Sequence, residues 1–353
     1  MTMTRILAVA TAAALVAVLT ACDPGTPVPP GDSETPAATE SPTPEVAADR
    51  PVPRFGDGCA ALVPDALITA LVPGAAEPHD LLATQYAAFP VIPRNSAVAQ
   101  AGGLLCEWSN GIPYSSATGA SGFAGIQLSV LPDAATGWDS LIAYYGYDPA
   151  AGNVYCYDET CGFDIFADGY WFSADMFLPA GGGTLADVEA LADHLRGEAA
   201  GFGTPAAPWT PPGAPVTDDC TLLVPAALVD EIYGAGHSLF LETGGGGWSL
   251  WAEASLRNQD DGCGWYYEAQ ELAVHWLNGG AWLAAELGAT GGTPVAIADL
   301  AEGDSATLEC ESPDHCRVTL TIDGTWITAT AQYAPDAAAA ATRLVEQVVG
   351  VLG

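Results

Sequence analysis

Eight cysteines in two sets of four constrain this chain more than any other feature. They stand at 59, 106, 156 and 161, and again at 220, 263, 310 and 316. Matching members lie 161, 157, 154 and 155 residues apart. The text around them repeats too. CGFDIFADGYW (161–171) is answered by CRVTLTIDGTW (316–326), with Cys, Asp-Gly and Trp at the same offsets. Cys59-Ala-Ala-Leu62 parallels Cys220-Thr-Leu222-Leu, and Cys106-Glu-Trp108 parallels Cys263-Gly-Trp265. Such spacing points to internal duplication and two tandem domains, residues 59–200 and 220–353. Pro-rich residues 201–219 then read as the linker between them.

Within each copy the patterns follow one order. Residues 63–74 and 224–236 read as helices with Pro near the start and Gly past the end. Ile126, Leu128 and Val130 alternate as in a strand, as do Leu272, Val274 and Trp276. Helices follow at Trp138 and Trp282, and others close the copies at 184–200 and 336–352. Thr184 and Asp187 fit a capping box. The expected fold class is α+β, each domain an antiparallel sheet packed with helices and held by two disulfides. The chain has nine cysteines, and with Cys22 set aside the even count outside the cytoplasm reads as disulfides. Four cysteines allow three pairings per copy. The preferred set is Cys59–Cys106, Cys156–Cys161, Cys220–Cys263 and Cys310–Cys316, with no bridge between copies. Zinc on Cys310, His315 and Cys316 is the rival, although Thr160 stands where His315 would be matched.

Asp-Gly suits a two-residue turn whose central residues both take positive φ. Such a turn puts Val318, Leu320, Ile322, Ile327 and Ala329 on one face, and Thr319, Thr321, Trp326 and Thr328 on the other. In the first copy Asp164, Phe166, Trp171, Ser173 and Asp175 share the outer face. That face is either covered by a helix or open to a ligand. Trp248, Trp251 and Trp276 occur in the second copy only, the first two behind the glycine run 244–247. With Trp171 and Trp326 they are the binding candidates. The first copy has its own unshared aromatic cluster, YYGYDPAAGNVYCY (144–157). Exposed aromatics flanked by polar groups suit a glycan or a protein partner. Packing between the copies is the competing explanation.

The N-terminus reads as an address. Arg5 precedes an apolar stretch, 6–19, short for a bilayer span of about 20 residues. LTAC (19–22) resembles the bacterial lipobox. The resemblance implies that residues 1–21 are a signal peptide and that Cys22 carries a diacylglyceryl group, whose two chains anchor stably. Residues 22–58 then form a tether, with nine prolines between 23 and 58 and a reach on the order of 100 Å. The chain has 43 acidic residues, eight arginines and no lysine, for a net charge of −35. Nucleic acid and anionic lipid surfaces need Lys and Arg and are unsuitable partners.

The familiar catalytic patterns are missing from the sequence. It has no G-x-S-x-G, H-E-x-x-H or Walker loop. None of His79, His194, His237, His275 and His315 recurs at a matched position, and His194 reads as a surface residue. Asp260-Asp261 is a carboxylate pair of the kind a glycosidase uses, in a chain where such pairs arise by chance. No catalytic residue, cofactor or metal site is assigned. The expected function is non-catalytic binding of an envelope glycan, small molecule or protein partner. The alternatives are a hydrolase of envelope polymers and an accessory subunit of an envelope complex.

The pattern of Cys59, Leu62 and Cys106-Glu-Trp108, then Cys220, Leu222 and Cys263-Gly-Trp265, follows a lipobox and a Pro-rich tether. It resembles a family of actinobacterial lipoproteins of unknown function. The first copy departs between Cys59 and Leu62. The resemblance implies an envelope-exposed α+β domain and supports the first long disulfide. It implies location at the extracytoplasmic face of the membrane but carries no activity. Mass spectrometry of the mature N-terminal peptide checks the anchor. The peptide is expected to begin at Cys22 and to carry two acyl chains, and an unmodified Cys22 would remove the anchor.

Overall fold

Apolar residues at every second position build two antiparallel sheets. The structure is a computed structural model. It describes residues 50–352 apart from 57, 76, 85–91, 93–94, 113, 115–121, 237, 242–247, 268–269 and 290. Cys22 and the lipobox lie outside the described residues.

The first half contains α1 (Cys59–Leu62), α2 (Asp65–Leu71), β1 (His79–Asp80), α3 (Leu81–Thr84), α4 (Ser96–Gln100) and β2 (Leu104–Ser109). It continues with β3 (Gly125–Leu131), α5 (Ala135–Tyr145), β4 (Asn153–Tyr157), β5 (Thr160–Ala167), β6 (Tyr170–Phe177) and α6 (Leu185–Ala199). The second half contains α7 (Cys220–Leu223), α8 (Ala226–Tyr233), β7 (Ser238–Leu241), α9 (Leu250–Asn258), β8 (Asp261–Tyr267) and β9 (Gln270–Leu277). Then come α10 (Ala281–Glu286), β10 (Thr293–Pro294), β11 (Ser305–Ser312), β12 (His315–Ile322), β13 (Thr325–Gln332) and α11 (Ala337–Leu352).

The first sheet runs β1-β2-β3-β6-β5-β4, and the second β7-β8-β9-β13-β12-β11-β10. With the edge strand β10 set aside, the two orders are the same. The fold is therefore α+β with antiparallel sheets. Both Asp-Gly turns have positive φ at both residues: Asp168 at 49° and Gly169 at 90°, Asp323 at 48° and Gly324 at 79°. Leu320 lies opposite Ile327, and Ile322 opposite Thr325, the register that this turn type sets.

Each sheet buries its inner face under its own terminal helix. Ile126, Leu128, Phe163, Ile165 and Phe172 pack with Val188, Leu191 and Leu195 of α6. Leu272, Val274, Leu320 and Ile327 pack with Leu344, Val345 and Val348 of α11. The capping box forms at α6, where the Thr184 amide and hydroxyl both donate to Asp187 Oδ2 at 2.7 Å. Four disulfides are present: Cys59–Cys106, Cys156–Cys161, Cys220–Cys263 and Cys310–Cys316. The last consumes the thiolates that the zinc reading needed. His194 is half-buried, with Nε2 3.1 Å from the Leu62 carbonyl oxygen, so it also ties α6 to α1.

The outer faces do not stay open. Leu131, Trp138, Leu141 and Trp171 from the first half share a third core with Leu250, Ala254, Leu277, Leu283 and Trp326 from the second. Helices α4 and α9, each just ahead of a Cys-x-Trp strand, meet there. Asn258 Nδ2 donates to the Ala97 carbonyl at 2.7 Å. Gln100 Nε2 donates to the Asn278 carbonyl at 2.6 Å, one residue past β9. Arg257 donates to the carbonyls of Pro132 (2.6 Å) and Asp133 (2.8 Å), just past β3. Thus each helix satisfies carbonyls at the end of the other half's central strand. Gly137 allows the close approach of α5, since a Cβ there would stand 2.5 Å from Glu253 Cδ.

The described residues between 50 and 352 accordingly belong to one compact unit. The Pro-rich segment 201–219 is strapped onto it. The Ala206 amide donates to the Arg54 carbonyl at 3.0 Å, and the Val216 amide donates to Asn278 Oδ1 at 3.0 Å. The chain ahead of Cys59 also packs. Phe55 lies in the first core, and Arg50 stands 5.4 Å from the Trp282 ring centroid. Among the described residues no helix is long and apolar enough to cross a membrane.

Trp326 is fully buried in the shared core. Trp326→Ala is expected to cost about 3–5 kcal/mol in urea unfolding. Because the core is shared, both halves should lose structure in the same transition, read by circular dichroism across urea. Two separated transitions in the wild type would argue against mechanical dependence between the halves.

Candidate functional site

The tryptophans singled out by sequence are mostly inside. Trp171 and Trp326 are 0% exposed and Trp276 is 2% exposed. The first two are covered because α9 and α10 lie over the hairpin ends. Trp276 faces the second core, where its Nε1 donates to the Gln259 carbonyl at 2.9 Å. These three offer no ring face to a ligand, which corrects the expectation of an exposed contact surface. Trp248 and Trp251 are half-buried against the shared core. The glycine run 244–247 that precedes them lies outside the described residues.

Among the described residues most of the exposed tyrosines lie in the first half, and Tyr333, 51% exposed, lies in the second. Tyr144, Tyr145 and Tyr157 are 63%, 45% and 74% exposed. Gly146, at φ 72°, ends α5 and turns the chain so that Tyr147 stacks on Tyr145 at 5.3 Å and 11°. Asp148 then closes a tight loop, its Oδ1 accepting from the Ala150 amide at 2.8 Å. Strand β4 brings the chain back with Tyr155 and Tyr157 on one face, their rings 5.6 Å apart.

Strand register places acids beside these rings. Tyr155 lies opposite Gly162, and Gly162 opposite Asp175. Asp164 is two residues along from Gly162 on the same face. The Tyr155 hydroxyl sits over Gly162, where a Cβ would come within 2.6 Å of it. Asp164 Oδ1 accepts from Trp171 Nε1 at 3.0 Å. Burial pushes the Asp164 carboxyl up to about 6, against the hydrogen bonds from Trp171 and Ser173, and the Asp175 charge adds to the rise. Burial, then Asp175 and Asp164, push the Tyr155 hydroxyl up to about 12. Tyr147 is raised as well, by burial first and then by Asp164. The phenols therefore stay neutral, as rings with a hydroxyl handle.

The second sheet does not repeat this arrangement. Arg317 stands where Gly162 does and Glu309 where Tyr155 does, with Arg317 Nη2 3.9 Å from Glu309 Oε2. Thr319 and Thr330 replace Asp164 and Asp175. The tyrosine face is thus particular to the first half. The unshared run 144–157 already marked its rings in the sequence. The two acids carried a weaker signal, their place on the outer face of the hairpin.

Two other candidates are structural. Asp260 is buried in the seam with a raised pKa, caused by burial, and its Oδ1 accepts from the Asn278 amide at 2.7 Å. A cleft of about 490 Å³ at the seam is lined by Arg54, Gln100, Asp133, Trp209, Arg257 and Asn278. Its guanidinium groups already bond Asp133, Glu253 and backbone carbonyls. Among the described residues no group of three His, Cys, Asp or Glu is placed to hold a metal ion. In comparisons with known proteins, no family model, curated protein or solved structure matches the chain.

The Asp164 shift has a stability consequence. A carboxyl with a raised folded-state pKa binds its proton more tightly in the folded chain. Its contribution therefore favours folding below about pH 4 and is lost as pH rises through about 6. Asp164→Asn should flatten this part of the stability profile, measured as the urea midpoint at pH 4.5 and 7.5. A profile as steep as wild type would assign the slope to other groups.

Proposed function

We propose that the protein is a lipid-anchored, extracytoplasmic binding module that presents the tyrosine face of its first copy to an envelope ligand, with a glycan as the preferred class. The observation that carries this reading is a set of five tyrosines, 144, 145, 147, 155 and 157, of which three are exposed: Tyr145 and Tyr157 each stack on a neighbour, and Tyr144 packs edge-on against Tyr145. Rings held in advance lose little entropy on binding and suit the flat faces of sugar rings. The anchor at Cys22, the origin of the two halves by tandem duplication and the kinship with actinobacterial lipoproteins are parts of the same proposal. They rest on the lipobox and on the repeated cysteine text. Identical strand order in the two sheets supports the duplication.

A hydrolase has one observation in its favour, the raised Asp164 carboxyl next to Asp175. The two readings separate in one experiment. Defined envelope glycan fragments are titrated into the full chain in detergent, with intrinsic fluorescence as the signal and product analysis afterwards. Binding should saturate, the fragments should stay intact, and Tyr145→Ala/Tyr157→Ala should weaken affinity at least tenfold. Cleaved fragments would favour the hydrolase, and unchanged affinity in the double variant would dismiss the tyrosine face.

A further inference from the structure

The tyrosine face has a sign as well as a shape. Strand register sets Asp164 and Asp175 on the same sheet face as Tyr155, with the Tyr155 hydroxyl over Gly162, and both charges disfavour its ionisation as Asp164 does that of Tyr147. Aromatic rings present a negative face to a cation. One arginine reaches the loop beneath the rings. Arg196 donates from Nη2 to the Ala151 carbonyl, and its Nη1 lies 2.7 Å from Asp193 Oδ1, so its charge is turned into an ion pair on α6. The same sheet position in the second copy holds the Arg317 guanidinium, where the first copy has only Gly162 and space for the Tyr155 hydroxyl. Rings and carboxylates together make a recognition surface for an organic cation.

Resting on the tyrosine-face reading, we propose that this face selects ligands carrying an ammonium group, and that an amino sugar with a free amine is its preferred occupant. The sugar ring would lie on the Tyr145–Tyr147 and Tyr155–Tyr157 stacks while its ammonium faces Asp164 and Asp175. A neutral N-acetylated sugar keeps the stacking but loses the charge contact. Cation–π attraction and the carboxylates both act on the same ligand atom.

The probes are a tetramer of glucosamine and the matched N-acetylglucosamine tetramer. Each is titrated by calorimetry into the full chain in detergent at pH 7 and at two salt concentrations. The amine form should bind at least tenfold tighter, and added salt should narrow that gap. Asp175→Asn should reduce the ratio of the two affinities several-fold. Asp164→Asn is the second variant, with circular dichroism confirming that each is folded. Equal affinity for both tetramers, lost together in Tyr145→Ala/Tyr157→Ala, would overturn the cation preference and leave the tyrosine face standing. Binding of neither tetramer would overturn both.

Discussion

Burial of the outer-face tryptophans between the two halves is the constraint on which the rest of this structure depends. A sheet with two apolar faces needs two covers. Here α6 and α11 cover the inner faces, while the outer faces close on each other's helices around Trp138, Trp171 and Trp326. The exchange is reciprocal, with Gln100 of α4 and Arg257 of α9 each reaching carbonyls at the end of the other half's central strand. Those carbonyls have no ladder partner beyond the strand end, and leaving them buried and unbonded would be costly. The seam is therefore polar where strands end and apolar where rings meet.

Closing the seam uses only part of each outer face. On the first sheet the part away from the seam carries Asp164, Asp175 and Tyr155, with the stacked tyrosines at the β4 edge. The same part of the second sheet carries threonines and the Arg317–Glu309 pair. The two halves share a strand order and differ in their side chains where the fold leaves room. A charge pair offers a sugar ring no flat surface to stack on. A ring over a glycine, flanked by carboxylates, offers a flat surface with negative potential.

The disulfides hold this arrangement at two levels. The long bridges, Cys59–Cys106 and Cys220–Cys263, fasten the first short helix of each half to its Cys-x-Trp strand. The short bridges, Cys156–Cys161 and Cys310–Cys316, lock neighbouring strands across a turn. The first of these sits directly between Tyr155 and Tyr157, so it fixes the strand that displays them. Cross-links of this kind limit the unfolded chain and add to a fold whose cores are made largely of small and branched residues.

The sequence by itself determined the local elements. Repeated cysteines marked the bridge partners, Asp-Gly gave the turn and its register, and the Thr184–Asp187 pair gave the start of a helix. These are short-range effects, set by backbone dihedrals and by residues within a few positions of one another. Only the tertiary structure decided which aromatic residues face water. Alternation places Trp171 and Trp326 on outer faces, but it is silent on what lies above them, and the α9 helix that meets the strand of Trp171 comes from the other half of the chain. Burial of a strand's second face is a long-range property. For that reason the surface rings turned out to include Tyr145, at the end of α5, and Tyr157, on the edge strand β4.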